Sequence, residues 1–350
     1  MSSSDRITVQ SDPYNAETPL PRLAAGVTAT DSFYVRNHFD VPSLDPRDWR
    51  LVMEGAVETC LSLSLPEIQA LPVRRLRVTL ECAGNGRTLM RPAPASTPWA
   101  LGAVSTADFA GAPLGALLDR AGPRADAVEL RFTGADQGEV GPGSRIAFER
   151  SLPLAECRRD EVLLAWEMNG EPLRALHGFP LRLVVPRWYG VASVKWLTRI
   201  TALTQPFRGY FQSEHYVYRS AAGAPGGEPV SRMRVRSLIA APSEGDVLSS
   251  SPAEISGVAW SGDAPVARVE VSVDGGLTWN DATLDRHDSN AAWTAWRFAW
   301  KPPAPGARTL MTRATDARGN VQPMEPVWNA LGYGNNVVQR VHVTVRPGSV

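Results

Sequence analysis

The stretch Glu81-Cys82-Ala83-Gly84-Asn85-Gly86-Arg87 joins a predicted strand to a glycine-containing loop. Residues 76–80 (LRVTL) alternate apolar and polar side chains, which predicts a strand. Cys82 therefore stands where the strand ends, and its thiol can point into a site. The loop glycines allow close approach of a ligand, and a thiolate beside an arginine is a strong ligand for soft metals. Considered alone, a cysteine in this position is more often a buried structural residue.

Residues 81–87 resemble the molybdenum-ligand segment of the sulfite oxidase family of molybdopterin enzymes, and further segments extend the resemblance. Residues 34–38 (YVRNH) resemble the family's first cofactor-binding segment, residues 177–186 (HGFPLRLVVP) the second, and residues 193–197 (SVKWL) the third. They occur in the family's order and with similar spacing, and a weaker match reaches residues 327–329 (VWN). On these segments together the chain is identified as a member of the family.

The N-terminal part of the chain predicts a mixed α/β domain. Residues 49–53, 128–132 and 181–185 are typical of strands, whereas residues 65–71 and 114–121 are typical of helices. The resemblance makes this region the family's molybdopterin-binding domain. The expected boundaries are an N-terminal extension over 1–29, the molybdopterin-binding oxidoreductase domain over 30–205, and an active-site segment and linker over 206–232.

The C-terminal part, residues 233–350, predicts an all-β immunoglobulin-like sandwich, so the fold class expected for the whole chain is α+β. Residues 266–273 alternate toward Asp274-Gly275-Gly276, a turn that requires positive φ angles. Further strand signals follow, including three tryptophans within residues 293–300, with no helical signal between them. In the family this is the position of the dimerisation domain, which implies a two-fold homodimer.

The resemblance implies a molybdenum atom carried on molybdopterin (Mo-molybdopterin), with the thiolate of Cys82 as its protein ligand. An oxyanion substrate needs fixed positive charge and hydrogen-bond donors, and Arg36, Arg87 and Tyr216 match the family's substrate-side positions. The cofactor's phosphate suits arginine and lysine. The residues that match cofactor-binding positions are Tyr34, Val35, Arg36, Asn37, His38, Asp136, His177, Arg182, Ser193, Val194 and Lys195.

Single members of this set have simpler explanations when each is taken alone. His177 beside Gly178 is compatible with a turn, and Arg182 with a solvated strand position. We expect His215, next to Tyr216, to have a surface role rather than a catalytic one. The joint match to one scaffold is what favours a cofactor site.

The resemblance implies oxidation of sulfite to sulfate by oxygen-atom transfer. Where the family's sulfite oxidases place a further substrate-binding arginine, however, this chain has Leu331. Loss of that cation would weaken sulfite binding by about 1.5–3 kcal/mol, the contribution of a charged hydrogen bond. A different small oxyanion or an S- or N-oxide remains an alternative substrate, and a cofactor-binding protein without turnover remains an alternative function.

The electron acceptor is expected to be a separate partner. The vertebrate-type enzymes of the family carry a haem-binding domain, and the region before residue 30 is too short for such a module. The resemblance therefore implies that electrons pass to an external acceptor, either a cytochrome c-type carrier or oxygen.

Composition and charge argue against several other classes of protein. Thirty-six basic residues balance thirty-six acidic ones, so no overall field favours nucleic acid or an anionic membrane. No apolar run is long enough to span a bilayer. The three widely spaced cysteines form no disulfide framework, and we expect Cys60 and Cys157 to be small core residues. Without a recognisable leader the expected compartment is the cytoplasm, or the periplasm if a leader was removed.

Overall fold

The computed structural model describes residues 5–221, 224, 226–285, 289–302 and 304–347. The strands of the N-terminal part are β1 (Ile7–Gln10), β2 (Asn15–Glu17), β3 (Leu51–Gly55), β4 (Leu61–Leu63), β5 (Arg74–Glu81), β6 (Val104–Pro113), β7 (Glu129–Glu139), β8 (Arg145–Pro153), β9 (Leu163–Met168), β10 (Glu171–Pro172), β11 (Arg182–Val184) and β12 (Leu197–Leu203). Those of the C-terminal part are β13 (Val217–Tyr218), β14 (Glu228–Pro229), β15 (Arg236–Ala241), β16 (Val247–Ser249), β17 (Ala253–Trp260), β18 (Val266–Ser272), β19 (Asn280–Asp281), β20 (Thr283–Asp285), β21 (Thr294–Trp300), β22 (Gly306–Asp316) and β23 (Gln339–Arg346).

The helices are short. The α-helices are α1 (Leu65–Gln69), α2 (Leu114–Ala121) and α3 (Leu154–Cys157), the 3₁₀ helices are Leu20–Ala25, Arg87–Leu89, Ala175–His177 and Gly190–Ala192, and a π-helix covers Tyr210–Glu214. In α2 the buried residues recur on one face, and Gly122 ends the helix with a φ of 61°. Across the described ranges, no helix has the length and apolar character needed to cross a bilayer.

Two five-stranded sheets build the N-terminal part. One has the order β4-β3-β12-β7-β8; in the other, β10-β9-β6-β5 are joined by β11, which also pairs with β9. Strands β3 and β12 are parallel, and the remaining neighbours in both sheets are antiparallel. The mixed α/β prediction is confirmed. The loop that carries Cys82 leaves β5 at the edge of the second sheet.

The C-terminal part is a sandwich of two sheets, ordered β15-β17-β21-β20 and β16-β23-β22-β18-β19. Trp296, Trp300 and Leu310 are buried in the core between them. Gly275 and Gly276 adopt φ angles of 76° and 96°, as the predicted turn requires, and β18 pairs with β19 beyond it. The predicted all-β sandwich is confirmed.

The two parts share one continuous buried core. The same cluster contains Leu183 and Ile200 of the N-terminal sheets and Leu238, Val258 and Trp260 of the sandwich. Apolar surface is therefore buried across the boundary, which favours a fixed arrangement of the two parts.

Two expectations need comment. Cys157 is buried as predicted, whereas the prediction for Cys60 is wrong, because Cys60 lies exposed in the turn between β3 and β4. Turns run over the surface, so a small apolar residue in one gains no burial. The first four residues and part of the predicted active-site segment and linker over 206–232 lie outside the described residues.

Glu17 generates a prediction about pH and stability. Its side chain is buried, Oε1 has no hydrogen-bond partner among the described atoms, and burial raises its pKa from 4.5 to about 7. A raised folded-state pKa contributes stability that is complete below the unfolded pKa and is lost as pH rises through the folded value. Between pH 5 and 7.5, we expect the unfolding free energy to fall by about 2 kcal/mol more in the wild type than in Glu17→Gln. Denaturant unfolding at both pH values measures this, and parallel pH profiles would contradict it.

Candidate active site

The two faces of β5 have different environments. Because successive side chains of a strand point to opposite faces, Leu80 and Cys82 lie on one side, where both line a cleft. Thr79 and Glu81 lie on the other side and are buried against the C-terminal sandwich. The thiol of Cys82 is directed into the cleft by the register of this strand.

The loop after Cys82 folds back as a tight turn. The amide of Asn85 donates to the carbonyl of Cys82 at 2.9 Å, and the amide of Arg87 donates to Gly84 at 3.1 Å. Gly86 has a φ of 82°, in the left-handed region that favours glycine. The amide of Cys82 donates to the carbonyl of Ala103 at 2.9 Å, which ties the start of the loop to the residue before β6.

The cleft is concave and is lined by both polar and aromatic side chains. Eleven of the residues predicted from the sequence line it, although they come from distant parts of the chain. These residues are Tyr34, Val35, Arg36, His38, Cys82, Asp136, His177, Arg182, Ser193, Lys195 and Tyr216.

Asn37 and Val194 lie behind the wall of the cleft. Asn37 is buried, accepts a hydrogen bond from the Lys195 ammonium, and donates from Nδ2 to the Tyr14 carbonyl at 2.9 Å. Val194 belongs to the apolar core, and its carbonyl accepts from Leu183 at 2.8 Å. Both residues shape the segments that carry the lining side chains.

One end of the cleft is rich in cations. Arg182 is buried and donates to the carbonyls of His177 at 3.1 Å and Ser193 at 3.3 Å. Arg6, which the sequence reasoning missed, places Nη2 3.3 Å from Nε2 of His177. Together with Lys195 these residues concentrate positive charge, which suits a phosphate group.

Lys195 and Asp136 both line this cleft. Burial lowers the pKa of Lys195 well below its usual value, the charge of Arg182 adds to that effect, and the charge of Asp136 opposes it. Burial raises the pKa of Asp136 to about 6 despite the neighbouring Lys195 ammonium. Burial thus disfavours the charged form of each of these two residues.

Two buried polar atoms of the lining residues have no hydrogen-bond partner within the described part of the chain: Oδ1 of Asp136 and Nε of Arg182. Buried polar groups are nearly always satisfied. An acceptor and a donor left open in one cleft fit a ligand that carries both kinds of group, as a pterin with a phosphate does.

The other end of the cleft is aromatic. The Tyr216 hydroxyl lies 2.7 Å from Nε2 of His38, whose ring stacks on Phe148 with centroids 4.7 Å apart. Burial lowers the pKa of His38 well below its usual value, and the charge of Arg36 adds to that effect. Burial raises the pKa of Tyr216, and Arg36 opposes the rise. A neutral imidazole thus faces a neutral phenol.

Arg87 lies beside the cleft, outside the residues that line it. Its guanidinium donates from Nη1 to the Thr97 carbonyl at 2.7 Å and from Nε to the carbonyl of Leu331 at 3.2 Å. It also lies 5.2 Å from the ring centroid of Tyr333, which stacks on Tyr216 at 4.8 Å. Arg87 therefore acts on the site indirectly, through its contact with the Tyr333 ring and through the electrostatic effect of its positive charge.

That charge acts on Cys82. Burial raises the pKa of the Cys82 thiol, while Arg36 and Arg87 oppose the rise. A metal ion requires the thiolate and drives its deprotonation. The two guanidiniums thus favour the form of Cys82 that can ligate a metal.

Sequence reasoning missed Tyr333 and placed His215 incorrectly. His215 is half-buried, stacks on Tyr210 with centroids 5.5 Å apart, and lies 6.1 Å from Tyr333, so it belongs to the aromatic end rather than to the surface. Burial lowers its pKa to about 4. Its position next to Tyr216 was the only sequence signal, whereas Tyr333 comes from the opposite end of the chain.

Two family models match the chain. Residues 38–211 match the oxidoreductase molybdopterin binding domain, and residues 228–346 match the Mo-co oxidoreductase dimerisation domain. The sulfite oxidase of Gallus gallus is 35% identical, with 91% of this chain and 74% of the relative covered. This chain belongs to the sulfite oxidase family.

The chain is also similar to proteins whose names give other activities. The mitochondrial sulfite oxidase of Mus musculus is 38% identical over 96% of this chain, which spans 65% of that relative's length. A nitrate reductase of Solanum lycopersicum is 31% identical, with 95% of this chain and 40% of the relative covered. Among solved structures, the sulfane dehydrogenase SoxCD of Paracoccus pantotrophus has a TM-score of 0.81 and 29% identity, covering 93% of this chain and 83% of that one.

Removal of Arg182, the buried cation at the cation-rich end of the cleft, should release the cofactor. We expect Arg182→Met to weaken pterin retention by roughly ten- to a hundredfold, because a charged hydrogen bond is lost. The pterin content per chain, read by fluorescence after oxidation, measures this. Arg199→Met is the matched control, since Arg199 forms an exposed ion pair with Glu54 at 2.5 Å. Equal pterin content in both variants would contradict the assignment.

Proposed function

We propose that this chain is a molybdopterin-dependent oxidoreductase that oxidises sulfite to sulfate by oxygen-atom transfer. The observation that carries the proposal is the position of Cys82. Its thiol lines a cleft that has cations at one end and Arg36, His38 and Tyr216 at the other. Family membership supports the cofactor, and the sulfite oxidases among the relatives support the substrate.

The cleft residues would hold the cofactor at several points. Arg182, Lys195 and His177 would bind the phosphate, and Asp136 would accept from the pterin ring. Cys82 would ligate the molybdenum as a thiolate. When bound, this group supplies the two-electron oxygen-atom-transfer chemistry, and the chain's own residues supply binding and orientation.

The substrate would bind at the aromatic end. Arg36 provides a guanidinium in the cleft, and Arg87 adds positive charge from behind Tyr333. Preorganised charge of this kind stabilises an oxyanion without reorganisation of solvent. The hydroxyl of Tyr216, 2.7 Å from the neutral imidazole of His38, would donate to a substrate oxygen while that ring fixes its orientation.

We also propose that the protein works as a homodimer and passes its electrons to a separate acceptor, either a cytochrome c-type carrier or oxygen. The match of residues 228–346 to a dimerisation domain supports the dimer. A two-fold arrangement would use the same face of both sandwiches.

A second candidate is turnover of a different substrate, such as another small oxyanion, an S- or N-oxide, or sulfane sulfur. Leu331 favours it, because this residue offers only its carbonyl to Arg87 where a sulfite oxidase would offer a cation. Tyr333 fills the adjacent space with an aromatic ring. The structural relative SoxCD is a sulfane dehydrogenase. A cofactor-binding protein without turnover is a third possibility, which the next experiment tests.

Replacement of the metal ligand should abolish turnover and leave the fold intact. In Cys82→Ser we expect sulfite-dependent reduction of cytochrome c to fall by at least roughly a thousandfold, because a hydroxyl is a poor substitute for a thiolate at a soft metal. The unfolding midpoint should change little. Cys60→Ser, at an exposed cysteine, is the control and should keep wild-type activity. Wild-type activity in both variants would exclude Cys82 as the metal ligand, and a wild-type protein without activity would favour the third possibility.

Restoration of the missing cation tests the substrate. We expect Leu331→Arg to lower the KM for sulfite by roughly ten- to a hundredfold with little change in kcat, since a charged hydrogen bond is gained in substrate binding. Leu277→Arg makes the same change at a residue that is 85% exposed and should leave the KM unchanged. A KM for sulfite that does not fall in Leu331→Arg would favour the second candidate.

A further inference from the structure

The side of β5 that faces away from the cleft carries a buried ion pair with the C-terminal sandwich. Arg236, the first residue of β15, donates from Nη1 to Oε1 of Glu81 at 2.9 Å, and both side chains are at most 2% exposed. Trp260 of β17 donates to the other carboxylate oxygen at 2.9 Å. Asn85 donates to Oε1 at 3.0 Å. The carboxylate next to Cys82 is thus held by both parts of the protein.

The sandwich part of the chain also holds the backbone of the loop after Cys82. The carbonyl of Ala83 accepts from the amide of Gly334 at 2.7 Å. The carbonyl of Asn85 accepts from Arg236 at 3.2 Å, and the carbonyl of Gly86 accepts from Asn335 at 2.6 Å. Three carbonyls of one short loop are therefore bound by residues more than 145 positions later in the chain.

A second pair of hydrogen bonds fixes β5 itself, two residues before Glu81. The amide of Thr79 donates to the carbonyl of Ala291 at 2.9 Å, and the amide of Trp293 donates to Oγ1 of Thr79 at 2.7 Å. Thr79 and Glu81 share one face of β5, whereas Leu80 and Cys82 share the other. The contacts with the sandwich therefore fix the register that turns Cys82 toward the cleft.

The loop and the guanidinium of Arg236 fit closely together. A Cβ atom at Gly86 would lie 2.7 Å from Nη2 of Arg236. Gly86 is thus required both by its positive φ and by the space that the guanidinium occupies. A residue with a side chain at position 86 would collide with the Arg236 guanidinium, so the loop could not follow this path.

We propose that Arg236 is a positioning residue of the metal site: by binding Glu81 and Asn85, it holds the Cys82 loop in the conformation that presents the thiol to the cleft. The C-terminal sandwich is then part of the active site as well as a candidate dimerisation domain. The proposal rests on the proposed function only in naming Cys82 the metal ligand, because the order of the loop can be measured without the metal.

The test uses the chain's own cysteines as reporters. The labelling uses the full chain, produced without molybdopterin. In the structure Cys60 is exposed, whereas Cys82 and Cys157 are buried. We expect Arg236→Met to raise the alkylation rate of Cys82 by at least roughly tenfold, since local opening sets the reactivity of a buried thiol. The rates of Cys157 and Cys60 should change by less than about twofold. Peptide mass spectrometry resolves the three sites.

A matched control separates this role from general support of the interface. Arg232 lies on the same segment as Arg236 and forms an ion pair with Glu156 at 2.7 Å, away from the Cys82 loop. Arg232→Met should leave the rate at Cys82 unchanged. In the molybdenum-loaded protein, Arg236→Met should also alter the Mo(V) electron paramagnetic resonance spectrum, and Arg236→Lys should restore part of the wild-type spectrum.

Several outcomes would overturn the proposal. If Cys82 and Cys157 become reactive together, Arg236 supports the whole fold; if neither does, the loop keeps its order without Arg236. Should Arg236→Met fail to fold, Trp260→Phe removes a single donor to Glu81 and must still raise the rate at Cys82 selectively. A wild-type protein that binds no molybdenum would contradict the proposed function and leave the labelling result valid.

Discussion

The buried ion pair between Glu81 and Arg236 is the interaction on which the rest of the site depends. Such a pair adds little net stability, because the cost of desolvating two charges offsets most of their attraction. The ion pair therefore contributes mainly by fixing the position of β5. It anchors the face of β5 opposite Cys82, and a slip of one residue would turn that thiol away from the cleft.

The charge of the protein is balanced as a whole and unbalanced at the cleft. Arg182 and Arg150 are buried and bind carbonyl groups rather than carboxylates, and burial lowers the pKa of each to about 10. Arg150 lies 6.0 Å from the ring centroid of Tyr216, behind the proposed substrate end. Cations without anionic partners cost desolvation energy, which an anionic cofactor and an oxyanion substrate would offset.

Local patterns predicted several of the elements, whereas the residues of the cofactor-binding segments came from the family resemblance. Alternation and the glycines predicted that Cys82 follows a strand, α2 was predicted to the residue, and the sandwich followed from its strands and tryptophans. The partners that complete the site could not be predicted this way. Arg236 and Tyr333 meet the Cys82 loop only through tertiary contacts of high sequence separation, and no local period records such contacts. His215 and Cys60 were misplaced because a single residue type does not report which way its loop faces.

The most direct test of the account is molybdenum analysis of the purified full chain from a molybdopterin-producing host, combined with its visible spectrum before and after anaerobic sulfite. The account predicts near-stoichiometric molybdenum and a sulfite-induced loss of the thiolate-to-molybdenum charge-transfer absorption. The loss is expected because reduction would fill the metal orbital that accepts the charge. Molybdenum without any response to sulfite would contradict the sulfite assignment. A folded protein with Cys82 intact and no molybdenum would contradict the central claim.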